Sequence, residues 1–331
     1  MPRYVRATFR LTALAVVLAF SLVACTNQPT TPQTGETSST KQVTLAPIKI
    51  GTLPTEDALP LWAAEAKGLF TKAGLKVEII TFPSAAERDI ALNAGSINAE
   101  MGDIIAAASL EPAGTDVRIA TVMLGATPQQ GRFGIVAAPK NGPKTLAEAA
   151  KAGVATSSNT IQEYVLDGLM TEADVATDTI KKIEVKKVPE RFALLMASKL
   201  PAAALPEPLL TLATKQGAPL LADDTKGENL SQTVLIVAEK FESSPEGRAT
   251  IDKLLQVWDE AVQLVNSDPN AWRQTLVDKA RLPQPLATSY QVQTYPNAQE
   301  PTRDEVESVL TWMRAKQLLQ KDVTYESLTS R

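Results

Sequence analysis

The chain alternates short apolar runs with helix-like stretches, and this alternation occurs twice along its length. Such a pattern is typical of α/β sheets in which most strands run parallel. The first series has apolar runs at residues 48–51, 76–82, 99–101 and 117–124, and the second at 154–155, 183–188, 202–205 and 219–221. Two further runs, 131–137 and 231–238, stand at the transitions between the series. The pattern therefore predicts an α/β fold of two lobes, joined by two crossing strands that form a hinge.

After residue 238 the sequence predicts helices, and we expect this helical tail to pack on lobe 1. Within the first of these helices, Leu254, Trp258 and Val262 recur at helical spacing. The predicted tail helices are 245–266, 269–280, 284–293 and 302–316. The predicted organisation is a signal peptide at 1–24, a lipidated cysteine with a flexible tether at 25–46, lobe 1 at 47–134 plus 235–331, and lobe 2 at 135–234.

The composition excludes several classes of function. The 331 residues include no histidine and one cysteine, Cys25, and the formal net charge is -4. Without histidine, a Ser-His-Asp or Cys-His catalytic site and a histidine zinc site are excluded. A single cysteine cannot form an intrachain disulfide or an iron–sulfur cluster. A mildly acidic chain also lacks the basic surface that nucleic acid binding requires. Carboxylate, Lys, Tyr or Ser chemistry and plain ligand binding remain. Of these we expect ligand binding rather than catalysis, with no cofactor, metal or nucleic acid.

The N-terminal segment has the pattern of an export signal. Three arginines among the first ten residues precede the apolar stretch 11–22, which is too short for a stable membrane span. Residues 22–25, Leu-Val-Ala-Cys, resemble a bacterial lipoprotein cleavage box. The resemblance implies that Cys25 is lipidated; the alternative is a plain signal peptide with an unrelated cysteine. Residues 26–41 are rich in Thr, Ser, Pro and Gln, which predicts a flexible tether.

An ordered set of segments in the body resembles the periplasmic solute-binding proteins of ABC importers, of the nitrate, sulfonate, taurine and thiamine-precursor type. These segments are 48–54, 60–65, 67–70 with 74–78, 91–97, 188–191, 205–208 and 301–312. Asn98 stands where the family usually has an aspartate, and residues 200–204 depart from its usual pattern. The resemblance implies a type II-like periplasmic-binding-protein fold, and partners that comprise a small solute, an ABC permease and an ATPase.

Candidate ligand contacts are suggested by the predicted strands, because parallel α/β sheets bind ligands beyond the carboxyl ends of their strands. Trp62 is added because it could stack on a flat ligand. The candidates are Thr52, Thr55, Glu56, Trp62, Phe82, Ser84, Asp103, Thr127, Ser157, Ser158, Asn159, Thr160 and Glu207.

Each candidate has a structural alternative. The polar run 156–160 precedes a predicted helix, whose N-terminal amides favour an anionic or polar group, although one such residue can simply cap the helix. Ser84 has the same two interpretations. Asp103 and Glu207 suit either a ligand amine or the dipole of a following helix. Phe82 and Trp62 suit either stacking or core packing, and Arg132 and Arg191 suit either an anion or an internal ion pair.

The sequence thus predicts a lipid-anchored, extracytoplasmic solute-binding protein that closes two lobes on a small polar solute. It would be exported and held at the cell envelope, in the periplasm or on the outer face of the cytoplasmic membrane. A nitrate-, sulfonate- or taurine-like anion is the preferred solute, and a thiamine-precursor pyrimidine or another aromatic amine is the alternative. The rival hypotheses are a lipoprotein scaffold that binds only proteins, and a hydrolase that uses Glu56, Asp103 and Glu207.

Overall fold

The computed structural model describes residues 44–110, 113–319 and 322–329. These residues all belong to one compact unit of the chain, which spans residues 43–331. The predicted signal peptide, the lipidation site Cys25 and all of the predicted tether before residue 44 lie outside the described residues.

Ten strands form two five-stranded sheets in the described part of the chain. The first sheet has the order β2-β1-β3-β10-β4 and the second β7-β6-β8-β5-β9. The strands are β1 (Ile48–Thr52), β2 (Val77–Thr81), β3 (Ala99–Asp103), β4 (Val117–Leu124), β5 (Phe133–Ala137), β6 (Val154–Thr156), β7 (Lys182–Glu184), β8 (Ala202–Pro206), β9 (Leu220–Asp223) and β10 (Thr233–Ala238). This arrangement confirms the predicted two-lobed α/β fold.

Four strands of each sheet run in one direction, and one runs in the other. In the first sheet β10 is antiparallel to both β3 and β4, and in the second sheet β5 is antiparallel to both β8 and β9. The chain crosses between the sheets in residues 125–132 and 224–232, just before β5 and β10. Each reversed strand therefore begins at the edge where its parallel neighbours end. The crossings themselves are irregular, and β5 and β10 each lie in one sheet.

Helices cover the sheets and form the tail. Helices α3 and α4 pack on the first sheet, and α6, α7 and α8 on the second. The helices are α1 (Leu59–Ala66), α2 (Leu69–Lys72), α3 (Ala85–Asn93), α4 (Ile104–Leu110), α5 (Leu146–Ala152), α6 (Ile161–Glu172), α7 (Val188–Met196), α8 (Leu209–Lys215), α9 (Glu239–Glu242), α10 (Pro245–Ser267), α11 (Arg273–Lys279), α12 (Arg303–Ala315) and α13 (Tyr325–Thr329). Short 3₁₀ turns lie at Glu56–Ala58, Thr177–Thr179, Pro269–Trp272 and Gln284–Leu286. None of the helices in the described ranges is long and apolar enough to cross a membrane.

The tail helices follow the sequence pattern where capping and apolar spacing agree. In α10, Leu254, Trp258 and Val262 are all buried, as their spacing predicts. Helix α12 begins with a capping box, in which Thr302 and Glu305 bond each other's backbone amides. This helix packs on α4, beside the first sheet. It also reaches α6 beside the second sheet, where the rings of Trp312 and Tyr164 meet edge to face with centroids 5.4 Å apart.

The predicted helix at 284–293 is wrong. Only the 3₁₀ turn Gln284–Leu286 forms there, and the following residues are irregular. Leu286 and Tyr290 are both buried and lie four residues apart. Their spacing matches that of a helix although the segment that carries them is irregular, which explains the wrong prediction. The predicted strand 183–188 is also too long, because helix α7 begins at Val188 with a proline in its first turn.

Candidate functional site

The carboxyl ends of the first sheet's parallel strands meet at one edge. Thr52, Thr81, Asp103 and Leu124 end β1, β2, β3 and β4, and Thr233 begins β10. The register pairs Thr52 with Thr81, and Thr233 with both Asp103 and Leu124. The hydroxyl oxygens of Thr52 and Thr81 are 3.3 Å apart. Polar side chains therefore gather along this edge.

The second sheet has a matching edge. Thr156, Glu184, Pro206 and Asp223 end β6, β7, β8 and β9, and Phe133 begins β5. The register pairs Thr156 with Glu184, and Phe133 with Pro206. The Thr156 hydroxyl is buried and has no hydrogen-bond partner in the structure.

Two short crossings connect these edges and lie side by side. Asn229 and Gln232 in the second crossing donate side-chain hydrogen bonds to the Gly125 carbonyl in the first, at 2.7 and 3.3 Å. Gly125 has φ +82°, and a Cβ there would lie 2.7 Å from the Ser231 carbonyl oxygen. Only glycine fits this approach. Because each crossing leads from the carboxyl edge of one sheet to that of the other, the region between the two edges is the candidate site.

Glu56 is the most buried acid at the first edge. It lies in the turn after β1, and its side chain packs beneath the tail, leaving the residue 3% exposed. Tyr290 donates its hydroxyl hydrogen to Glu56 Oε1 at 2.8 Å, and Tyr295 donates to the Glu56 carbonyl at 2.8 Å. Glu56 Oε2 is buried and accepts no hydrogen bond.

Glu207 is the corresponding acid at the second edge and is 6% exposed. It follows β8, and both of its oxygens are hydrogen-bonded. Arg132 donates to Oε1 at 3.0 Å, Thr211 donates its hydroxyl to Oε1 at 2.8 Å, and the Thr211 amide donates to Oε2 at 3.0 Å. Arg132 also pairs with Asp223 at 2.8 Å. One guanidinium thus serves two carboxylates.

The two buried acids influence each other electrostatically. Burial raises the pKa of Glu56 well above its ordinary value, the charge of Glu207 raises it further, and the Tyr290 hydrogen bond opposes both. Burial also raises the pKa of Glu207, against the hydrogen bonds from Thr211 and the charge of Arg132. Each carboxylate is therefore costly to ionise as long as no further cation is near.

The loop before α6 uses its donors internally. The amide and hydroxyl of Ser158 donate to Glu184 Oε2 at 3.0 and 2.6 Å. The Asn159 amide donates to Glu163 Oε2 at 2.6 Å. The Thr160 hydroxyl donates to the Ser157 carbonyl at 2.7 Å, and its oxygen caps the helix. Carboxylates of the chain therefore accept the hydrogen bonds of the Ser158 and Asn159 amides and of the Ser158 hydroxyl.

Arg191 is a buried cation without a carboxylate partner. It is fully buried, and its one hydrogen bond in the structure runs from Nη1 to the Val185 carbonyl at 2.7 Å. Its Nε and Nη2 are buried and unpartnered, and burial lowers its pKa to about 10 against the charge of Glu184. By contrast, Arg88 pairs with Asp89 at 2.7 Å. Arg191 is therefore a donor that an anion could satisfy.

Several of the other candidates make structural contacts. Ser84 caps α3 by accepting from the Glu87 amide, and Asp103 accepts from the Ala106 amide at the start of α4. Trp62 is 2% exposed and belongs to the main hydrophobic cluster. Phe82 packs half-buried against the second cluster, Thr127 is exposed in the first crossing, and the Thr55 hydroxyl is buried without a partner. In the described ranges no cluster of acidic or cysteine side chains is arranged to hold a metal ion.

The sequence reasoning missed several polar contacts of the site. It did not single out Tyr290, Tyr295 or Asp223. Tyr290 falls in the tail segment 284–293, where the pattern predicts a helix, and Tyr295 falls just after it. Both contact Glu56 more than 230 residues away. Local spacing has no signal for such a contact.

Comparison with known proteins agrees with this architecture. The model of the NMT1-like family matches residues 41–278. The chain belongs to the NMT1-like family. A protein of Brachyspira hyodysenteriae, described by its name as a periplasmic binding protein of an ABC transporter, is 24% identical over 288 residues, which cover 82% of this chain and 79% of that protein. The family resemblance found in the sequence is thereby confirmed.

Solved structures with the same fold are also binding proteins. The alkanesulfonate-binding protein SsuA of Xanthomonas axonopodis pv. citri, bound to MOPS, aligns with a TM-score of 0.72 and 19% identity over 86% of this chain and 98% of that one. SsuA of Escherichia coli aligns with a TM-score of 0.70 and 21% identity, over 85% of this chain and 98% of that one. The nitrate-binding protein NrtA of Synechocystis PCC 6803 aligns with a TM-score of 0.66 and 15% identity. The alignment covers 84% of this chain and 83% of that one. These solved structures share the fold of this chain, and their names describe binding proteins.

Proposed function

We propose that the chain is the solute-binding component of an ABC importer, and that it captures a small polar solute between the carboxyl edges of its two sheets. The observation that carries the proposal is the pair of carboxyl edges, which are lined with buried polar groups and joined, in the described part of the chain, by two crossings. Two halves with this connection can separate and close. A solute that contacts both edges favours the closed form, which a permease can recognise.

The proposed location rests on the N-terminal segment and the relatives. We propose export by the signal peptide, lipidation of Cys25 and a tether that keeps the body at the cell envelope, with a permease and an ATPase as partners. Several acyl chains hold a protein firmly on a membrane, since each buried methylene contributes about 0.8 kcal/mol. Metabolic labelling with a radioactive fatty acid tests the anchor: we expect label in the wild type and none in Cys25→Ser, and an unlabelled wild type contradicts it.

An anion is the first candidate for the solute. SsuA and NrtA are described as alkanesulfonate- and nitrate-binding proteins, and Arg191 offers two buried, unpartnered donors. The second candidate is an amine, which the buried acids Glu56 and Glu207 favour.

A thermal-shift screen of the full chain tests solute capture. The panel comprises nitrate, ethanesulfonate, taurine, MOPS, an aminopyrimidine and benzylamine. We expect at least one compound to raise the melting midpoint selectively, because a ligand that binds only the folded chain stabilises it. For an anion, Arg191→Gln should weaken binding at least tenfold, about 1.4 kcal/mol, whereas exposed Arg248→Gln should not. No response across the panel contradicts the proposal and favours the scaffold hypothesis.

A further inference from the structure

Buried Glu56 and Glu207 and half-buried Asp223 and Arg132 lie at the carboxyl edges of the two sheets. We call Glu56, Glu207, Asp223 and Arg132 the acidic junction. Arg132 donates to Glu207 at 3.0 Å and to Asp223 at 2.8 Å. Among the described residues no cation forms an ion pair with Glu56. The junction therefore has three carboxylates for one guanidinium.

The two acids of opposite edges are the unbalanced part of the junction. Glu56 follows β1 of the first sheet and Glu207 follows β8 of the second, and the charge of Glu207 acts on Glu56. Glu56 Oε2 is buried and accepts no hydrogen bond, which leaves an acceptor without a donor. A buried carboxylate needs a paired charge or hydrogen bonds, so this arrangement is destabilising unless something else supplies them.

The neighbouring lysine of the chain does not supply this charge. Lys215 ends α8, the helix that follows Glu207. Its ammonium group donates to the hydroxyl of Ser289 in the tail at 2.7 Å, and the residue is exposed. Among the described residues, none supplies Glu56 with a paired cation.

We propose that the solute carries a protonated nitrogen, as an ammonium or amidinium group, which lies between the carboxylates of Glu56 and Glu207. This inference rests on the proposed function and specifies the chemistry of the solute. A nitrogen with two or three N–H donors can bond Glu56 Oε2 and a Glu207 oxygen together. Because the two acids belong to opposite edges, this double contact exists only in the closed form and so favours closure.

The first test uses the smallest probe of the junction. Methylammonium chloride and sodium chloride are compared at equal ionic strength by thermal unfolding of the full chain. Methylammonium should raise the midpoint by about 2 °C more than sodium when it is well above its dissociation constant. Equal midpoints overturn the inference, because they mean that a proton rather than a nitrogen cation balances the junction.

Variants locate the effect. Glu56→Gln and Glu207→Gln should each remove the difference between methylammonium and sodium. The matched control is Glu65→Gln, which removes one acid from an exposed pair with Lys279 and should keep the difference. If methylammonium still raises the midpoint above that in sodium in both junction variants, the inference is overturned. Where a variant does not fold, the comparison of the two salts in the wild type still tests the inference.

A matched pair of solutes separates this inference from solute capture itself. Taurine and ethanesulfonate share the sulfonate and differ in the ammonium group. Taurine should bind the full chain at least tenfold more tightly, about 1.4 kcal/mol, and Glu207→Gln should abolish the preference. If ethanesulfonate binds equally well, the inference fails and solute capture stands; if no compound of any class binds, solute capture fails as well.

Discussion

Two groups of acids lie between the sheets or their helices, and they differ in the cations that the chain places beside them. We call Glu163, Asp167, Lys182 and Lys316 the paired cluster. Lys182 contacts Glu163 at 2.7 Å and Asp167 at 2.6 Å, and Lys316 contacts the same two at 2.8 and 3.3 Å. Here two carboxylates meet two ammonium groups. In the acidic junction one guanidinium contacts Glu207 and Asp223, and among the described residues no cation pairs with Glu56.

The electrostatics follow the charge balance. Burial opposes ionisation of Glu163, but the hydrogen bonds from Lys182 and Lys316 prevail and lower its pKa. In the junction, burial and the charge of Glu207 raise the pKa of Glu56. The paired cluster thus supplies its acids with cations from the chain, whereas we propose that a solute supplies the positive charge at the junction.

The largest effect is expected from removing both cations of the paired cluster. Lys182→Met with Lys316→Met leaves Glu163 and Asp167 buried without a cation. Breaking buried pairs in this way should lower the free energy of unfolding by about 4 kcal/mol, measured by urea denaturation. The control, Lys49→Met with Lys279→Met, removes two exposed pairs and should cost less than about 1 kcal/mol. If both double variants lose a similar free energy of unfolding, the paired cluster is no more stabilising than exposed ion pairs, which contradicts this prediction.

The pH dependence of stability should differ between the paired cluster and Asp224, which lies next to the acidic junction. Burial raises the pKa of Asp224, beside the junction acid Asp223, to about 7. A carboxyl with a raised folded pKa contributes stability that is fully present below its unfolded pKa and is lost as the pH rises through the folded pKa. Between about pH 4 and 7 this loss should be about 4 kcal/mol. The lowered pKa of Glu163 acts oppositely, and its contribution is lost in acid below its ordinary value.

Urea titrations at pH 5 and pH 8 without solute measure this dependence. Asp224→Asn keeps an acceptor for the Phe133 amide, which donates to Asp224 at 2.8 Å, and should flatten the profile. An unchanged profile in this variant contradicts the assignment.

The same substitution should have opposite signs in the two groups. Glu163→Gln weakens contacts with two lysines and should cost about 2 kcal/mol. Glu56→Gln removes a buried charge that faces Glu207 while an oxygen can still accept from Tyr290, and should add about 1 kcal/mol without solute at pH 8. Urea denaturation of both variants measures these changes. If both substitutions lower the free energy of unfolding, Glu56 makes a stabilising structural contact like Glu163, and the predicted difference in sign is wrong.

The smallest effect concerns Trp312, which borders the paired cluster. Its indole N–H donates to Asp167 Oδ2 at 3.0 Å. Trp312→Phe removes this hydrogen bond but keeps a ring beside Tyr164, and should cost about 1 kcal/mol, measured by the same denaturation. A solute that raises the midpoint of the wild type should bind this variant unchanged. Weakened binding would show that the paired cluster is part of the ligand response.

The strands and the place of the site could be predicted from the sequence, because both depend on local pattern. The run 117–124 coincides with β4, and the ends of β1 and β8 lead to Glu56 and Glu207 as predicted. The reversed directions of β5 and β10 could not be predicted, because they depend on which edge each crossing reaches.

The partners of the site residues could not be predicted either. Glu207 meets Arg132 across 75 positions of the chain, and Lys316 meets Glu163 across 153. The charge balance of a buried group is set by such distant pairs. The sequence pattern therefore predicts Ser158 and Asn159 as donors to a ligand, because it has no signal for the distant acids of the chain. In the structure these donors bond Glu184 and Glu163.

A distance measurement between the two halves tests solute capture most directly. Glu87 in α3 and Lys186 after β7 are both exposed, and cysteines at these positions in a Cys25→Ser chain can carry spin labels. Pulsed electron resonance should show a shorter distance population that grows on addition of any compound that raises the melting midpoint. A single distribution that stays the same with every such compound would contradict closure on a solute.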